Sequence, residues 1–161
     1  MKEFTITIDY ANYYGDYNEL INYMKSLDGI KDINIVENTI ITVDIKYDEK
    51  IINDEIIKGE LLSFLKLSNR PVIYGFDKHA KKDIVTLKLK CKYCCESCFG
   101  NIIYKLIDTP GIMRVKTDIY EKIYTDDARE TDEYNIEIQY DPEIITNDKL
   151  DEIKKHISIY G

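Results

Sequence analysis

The sequence predicts an α+β protein of two tandem ferredoxin-like βαββαβ units, and two observations predict it. The first is the order of hydrophobic periods: alternation, helical spacing, two alternating runs, helical spacing, alternation, and then the same order begun again. The second is an internal repeat, in which Ile-Lys-Tyr-Asp-Glu-Lys-Ile-Ile-Asn-Asp at 45–54 is echoed by Ile-Gln-Tyr-Asp-Pro-Glu-Ile-Ile-Thr-Asn-Asp at 138–148. A chain of 161 residues with 44% hydrophobic content can build either one ordinary core or two small ones.

Phe4, Ile6 and Ile8 alternate with Glu3, Thr5 and Thr7, which predicts a half-buried first strand. Tyr17, Leu20, Ile21, Met24 and Leu27 then recur at helical spacing and stop at Asp28-Gly29, where glycine suits a left-handed helix end. Ile33 and Ile35, the turn Glu37-Asn38, and Ile41, Val43 and Ile45 read as a hairpin. Asn53 is placed to cap a second helix carrying Ile56, Ile57, Leu61, Phe64 and Leu65, and 71–76 supplies a closing strand with Pro71 at its start. Residues 1–76 are therefore expected to form the first unit. The polar stretch 77–83, with Lys78, Lys81 and Lys82, reads as a linker.

The second unit is expected over 84–161. Val85, Leu87, Leu89 and Cys91 alternate along its first strand, a helix follows over 96–108, strands over 112–120 and 134–140, and a last helix from Asn147 to Ile157. That leaves only 158–161 for a closing strand, so this sheet is expected to be three-stranded or to end in a stub. Gly29 and Gly111 are 82 residues apart while Tyr47 and Tyr140 are 93 apart, so the second hairpin carries about 11 extra residues around 124–133. Asp126, Asp127, Glu130, Asp132 and Glu133 in that stretch read as a solvated acidic loop.

Composition narrows the partners. With 32% charged residues and a net charge of -8, the chain lacks the clustered cations that release counterions from nucleic acid, and a basic protein surface suits it better. Its first ten residues do not have the form of a signal peptide, and no window holds the roughly 18 apolar residues of a membrane span. The expectation is a cytoplasmic protein without membrane insertion.

All four cysteines fall in one stretch, Cys91-Lys92-Tyr93-Cys94-Cys95-Glu96-Ser97-Cys98. A disulfide framework would spread its cysteines to staple distant loops, so the clustering points to thiolate chemistry or metal binding. Thiolates are the natural ligands of soft ions such as Cu(I). Zinc or another soft metal is the alternative, although a closed zinc site draws its pairs from separate knuckles and an iron–sulfur cluster is hard to build with Cys94 and Cys95 adjacent. Cys95 and Cys98 are preferred as the primary ligands, because Cys98 lies 14 residues before Ile112 and leaves room for a helix of ordinary length. Cys94 and Cys91 stand as auxiliary ligands, with Cys91 turned toward the core by strand parity.

With the cysteines between the first strand and first helix, residues 84–160 resemble the heavy-metal-associated domain family. Its members include copper chaperones, mercury-binding periplasmic proteins and the amino-terminal repeats of copper-transporting P-type ATPases. The matching features are Cys95-Glu96-Ser97-Cys98, Gly111-Ile112 after the first helix, and Tyr140-Asp141-Pro142 at the end of the third strand. Tyr93 stands where the family usually has a methionine, and the first unit resembles the same fold without the cysteines. The resemblance implies a metal ion as cargo and a metal-transporting ATPase or another metal-binding domain as partner.

His156 is expected near the cysteine loop, as a partly exposed helical residue or a third ligand, with Lys155 or Tyr160 shielding the metal. His79 is expected to be solvated in the linker. In the first unit the matching positions are about Tyr13 and Asp16, which do not suit a soft metal. Three functions fit these residues: a non-enzymatic metal chaperone or buffer, a thiol-disulfide or redox-sensing protein, and an interaction module whose units hold no metal. Catalysis has no support, since neither histidine has a nucleophile or carboxylate at a placed position.

Overall fold

The computed structural model describes residues 1–9, 13, 15–37, 40–65, 72–90, 96–118 and 133–158, with backbone alone at 96–99 and 158. The chain divides into two compact units, Met1–Ala80 and Lys81–Gly161. In the first, strand β1 (Lys2–Asp9), helix α1 (Tyr17–Ser26), strands β2 (Ile30–Glu37) and β3 (Ile41–Tyr47), helix α2 (Asp54–Phe64) and strand β4 (Val72–Asp77) follow in order. The sheet runs β2-β3-β1-β4 with antiparallel neighbours, the ferredoxin-like arrangement. Alternation along β1 sets Phe4, Ile6 and Ile8 opposite Ile45, Val43 and Ile41 of β3 on one apolar face. Leu20 and Met24 of α1 and Ile57 and Leu61 of α2 complete that core with no exposed surface. Burying each such side chain contributes about 1.5–3 kcal/mol.

Local chemistry starts the two helices. The Asp16 carboxylate accepts from the Asn18 N–H at 2.8 Å, and the Asn53 side chain accepts from the Ile56 N–H at 2.9 Å, each satisfying a donor that the helix cannot. Tyr23 joins the helices: its ring stacks on Phe64 at 5.0 Å and its hydroxyl donates to the Glu60 carboxylate.

The second unit consists of strand β5 (Asp83–Lys90), helix α3 (Glu96–Ile107), strands β6 (Ile112–Thr117) and β7 (Glu133–Tyr140) and helix α4 (Asn147–Ser158). Its sheet order is β5-β7-β6, again antiparallel. Ile102, Ile103 and Leu106 of α3, with Ile153 and Ile157 of α4, are buried along with Leu89, Val115, Ile136 and Ile138 of the sheet. Thr146 takes the place of Asn53 and accepts from the Lys149 N–H at 3.3 Å. The hairpin of β6 and β7 is fastened at its mouth: the Thr117 hydroxyl donates to the Asn135 carbonyl at 2.7 Å, and the Asp118 carboxylate accepts from the Asn135 N–H at 2.8 Å. Beyond it, Asp126, Asp127, Glu130 and Asp132 lie outside the described residues, as do 159–161, where a closing strand was expected to end. Glu133 opens β7 and pairs with Lys88 at 3.0 Å.

The unit boundary differs in detail from the expected linker. Asp77 ends β4 and Asp83 begins β5, so both belong to strands. Between them the chain turns back on the first unit, with the Lys78 N–H donating to the Glu3 carbonyl at 3.1 Å and the His79 N–H to the Asp77 carboxylate at 2.8 Å. Hydrogen bonds to a partner some 75 residues earlier leave no trace in local composition. Among the described residues, no helix is long and apolar enough to cross a membrane.

The repeat has a physical basis in a corner built twice. Gly29 and Gly111 adopt φ of 96° and 93°, where a β-carbon is costly. Their carbonyls each accept, at 2.8 Å, the N–H of Asp48 or Asp141. The carbonyls of these aspartates in turn receive the N–H groups of Ile51 and Ile52, or of Ile144 and Ile145. Beside each glycine the strand ladder skips a residue, between Ile30 and Asp32 and between Ile112 and Arg114. A β-carbon on Gly29 would sit 2.8 Å from Ile52 Cγ2, and one on Gly111 2.8 Å from Ile145 Cγ1. Gly29→Ala and Gly111→Ala are each expected to lose at least about 1–2 kcal/mol from the backbone conformation alone. Urea unfolding followed by hydrogen exchange should place the first loss in residues 1–80 and the second in 81–161; equal stability of Gly111→Ala and parent would contradict the corner.

Candidate functional site

The junction between β5 and α3 carries the cysteines. β5 ends at Lys90 and α3 begins at Glu96, so 91–95 link them. Cys91, Cys94 and Cys95 lie outside the described residues, and Cys98 is the third residue of α3 by its backbone. In that first turn the backbone N–H groups have no intrahelical acceptor, and their partial positive charge favours a thiolate over a thiol. Among the described residues, no group of three or more His, Cys, Asp or Glu side chains is arranged to hold a metal ion.

The two units differ at this place. Cys98 and Asp16 each stand 13 residues before their corner glycine. In the first unit Asp16 precedes the helix and caps it, whereas in the second the helix has already begun at Glu96, almost one turn earlier. Around Asp16 the neighbours are phenols and carboxylates: Tyr13 meets Tyr17 edge-on at 4.9 Å. Burial holds the Tyr17 hydroxyl far above its ordinary range and Glu37 adds to the effect, while burial, helped by Glu19 and Asp16, raises Tyr13. Protonated phenols are poor ligands for a soft ion.

His156 lies half-buried on α4 against α3, where the backbone of Asn101 hydrogen-bonds its ring and Lys105 is nearby. Asn101 is one helical turn after Cys98. The sequence led to the expectation of His156 near the cysteine loop, of which 91–95 lie outside the described residues, and did not bring out Asn101 and Lys105 as its neighbours. Their spacing from Cys98, three and seven residues along one helix, was the available signal. Burial is the main cause that lowers the basicity of His156, the Lys105 charge lowers it further, and the Asn101 hydrogen bond opposes both. Lys155 is exposed on α4, and Tyr160 lies outside the described residues.

Of the lysines flanking the junction, Lys88 pairs with Glu133. Lys90 is exposed at the end of β5, and Lys92 lies outside the described residues. His79 is exposed, as its polar surroundings suggest, but its ring engages the Glu3 carboxylate, and this hydrogen bond is the main cause that holds Glu3 below the usual carboxylate range.

The chain matches no family model and no curated protein. Among solved structures, one described as a "putative glycine cleavage system transcriptional repressor" is similar over 96% of this chain and 90% of its own, at 14% identity and a TM-score of 0.35. A likeness of that extent carries no argument about function.

A depressed histidine binds its proton more weakly folded than unfolded, so its contribution to stability is complete above the unfolded value of about 6.5 and is lost as pH falls from there through the lower folded value. Metal-free protein should therefore lose stability on acidification below about pH 6.5, and His156→Gln should flatten that part of the profile. Urea midpoints between pH 7.5 and 5 measure it; identical slopes in parent and variant would remove His156 as the cause.

Proposed function

We propose that this chain is a cytoplasmic, non-enzymatic binding protein for a soft metal ion of the Cu(I) type, a chaperone or buffer, with Cys95 and Cys98 as the ligands of its cargo. The observation that carries the reading is the confinement of all four cysteines to residues 91–98, between the end of β5 and the first turn of α3. Two thiolates on one short link suit a soft ion, and a two-coordinate site leaves room for an incoming ligand from a partner. The helix N-terminus favours the deprotonated form of Cys98 that such binding requires. In sequence, Cys94 is the nearest additional donor to this pair and Cys91 the furthest.

The first unit has no cysteine, so one site per chain is expected. Resemblance to heavy-metal-associated domains supports a second metal-binding domain, or a metal-transporting ATPase, as the partner that exchanges cargo. Transfer would then proceed by stepwise exchange of thiolates between the two proteins.

Titration of reduced protein with Cu(I) against a thiolate competitor tests the assignment. Cys95→Ser/Cys98→Ser should weaken binding by more than about 100-fold, the upper end of what loss of an outer-shell partner costs. Equal binding by parent and variant would falsify it. Elemental analysis of protein purified under reducing, oxygen-free conditions should find one ion per chain, whereas metal-free protein with a reversible Cys95–Cys98 disulfide would move the function to thiol exchange.

A further inference from the structure

Helices α1, α2 and α4 each begin behind a side-chain oxygen that caps them: the Asp16 carboxylate, the Asn53 side chain and the Thr146 hydroxyl accept from the N–H groups of Asn18, Ile56 and Lys149. The residue before α3 is Cys95. A thiol is a weak acceptor outside the group of good capping side chains, and a sulfur committed to a metal ion is withdrawn from that task altogether. The turn that carries Cys98 therefore needs another hold.

The neighbouring helix supplies one. His156, half-buried on α4, shares a hydrogen bond with the backbone of Asn101, three residues beyond Cys98 on α3. That bond favours the protonated ring, so the backbone group is an acceptor, the Asn101 carbonyl, and the imidazole donates to it. An α-helix ties each N–H to the carbonyl four residues back, so residues 101 and 102 grip 97 and 98. A donor fixed on Asn101 thus steadies the turn that begins at Cys98.

The first unit clamps its helices at the matching place. Tyr23 stands six residues before Gly29 and Lys105 six before Gly111, so the two occupy equivalent positions. Tyr23 joins α1 to α2 through its ring on Phe64 and its hydroxyl on Glu60. Lys105 has neither a ring nor a hydroxyl, and beside it the second unit makes the join from the other helix, through His156 and the backbone of α3.

We infer that His156 is a positioning residue for the metal ion: its hydrogen bond to the Asn101 carbonyl holds the first turn of α3, and with it Cys98, ready to receive the ion. The inference rests on the proposed use of Cys95 and Cys98 as ligands, and adds a residue that acts through the backbone rather than on the ion.

Cu(I) affinity of the reduced full chain, measured against a thiolate competitor at neutral pH, tests it with three replacements. His156→Leu fills comparable space and donates nothing, so it should weaken binding about 10-fold, the lower end of what loss of an outer-shell partner costs. His156→Asn and His156→Gln each keep a side-chain N–H, one at the reach of each ring nitrogen, and the better of the two should recover parental affinity. Urea unfolding of each variant separates loss of affinity from loss of the fold. Should His156→Leu not fold, the Asn and Gln variants carry the test. Equal affinity of His156→Leu and parent overturns the positioning role; so does equal loss in the Asn and Gln variants, which would make the imidazole itself a ligand. Parental binding by Cys95→Ser/Cys98→Ser overturns the metal reading and this inference with it, whereas cysteine-dependent binding indifferent to His156 overturns this inference alone.

Discussion

One hydrogen bond of 2.8 Å in each unit, from the Asp48 N–H to the Gly29 carbonyl and from the Asp141 N–H to the Gly111 carbonyl, closes the corner on which the elements of that unit converge. At each bond the glycine takes a positive φ, a conformation open to it for want of a β-carbon, where the chain passes from the first helix into the second strand. Four element ends meet there: the first helix stops, the second strand starts with a bulge, the third strand finishes, and the turn into the second helix begins. The same corner closes over hairpins of different length, since Gly29 and Asp48 are 19 residues apart and Gly111 and Asp141 are 30 apart. The paired isoleucines that follow fill the space where a side chain on the glycine would lie.

Built twice, the corner supports different chemistry in the two halves. The first unit seals the entrance to its helix with a capping carboxylate and two tyrosines that keep their protons. In the second unit the helix starts almost a turn sooner and brings Cys98 inside it. The scaffold is therefore common property, and function resides in what each copy places between its first strand and first helix.

Most of the fold was legible in the sequence because its determinants are periodic or local. Alternation at Phe4, Ile6 and Ile8, helical spacing through Leu20 and Met24, the Asn53 cap and the paired glycines each leave a mark within a few residues. The Lys78 and His79 contacts to Glu3 were not legible, since they join residues distant in the chain. At the candidate site the residue types were evident and the surroundings were not. The topology of the unit led to the expectation of His156 near the cysteine loop, but its neighbours Asn101 and Lys105 follow from the phase of α3, which the earlier start of that helix sets.

The fastening of Thr117 and Asp118 to Asn135 separates the sheet from whatever joins β6 to β7. Strand register has a period of two, so a slip of one residue would turn every side chain of β7 inside out. With the hairpin clamped at its mouth, the connection can change length without passing any displacement into the ladder. Loop-closure entropy grows only logarithmically, at about 0.6 kcal/mol for each doubling. The second unit thus carries a longer acidic connection than the first at small thermodynamic cost, and the two halves differ most in length at the place where length matters least.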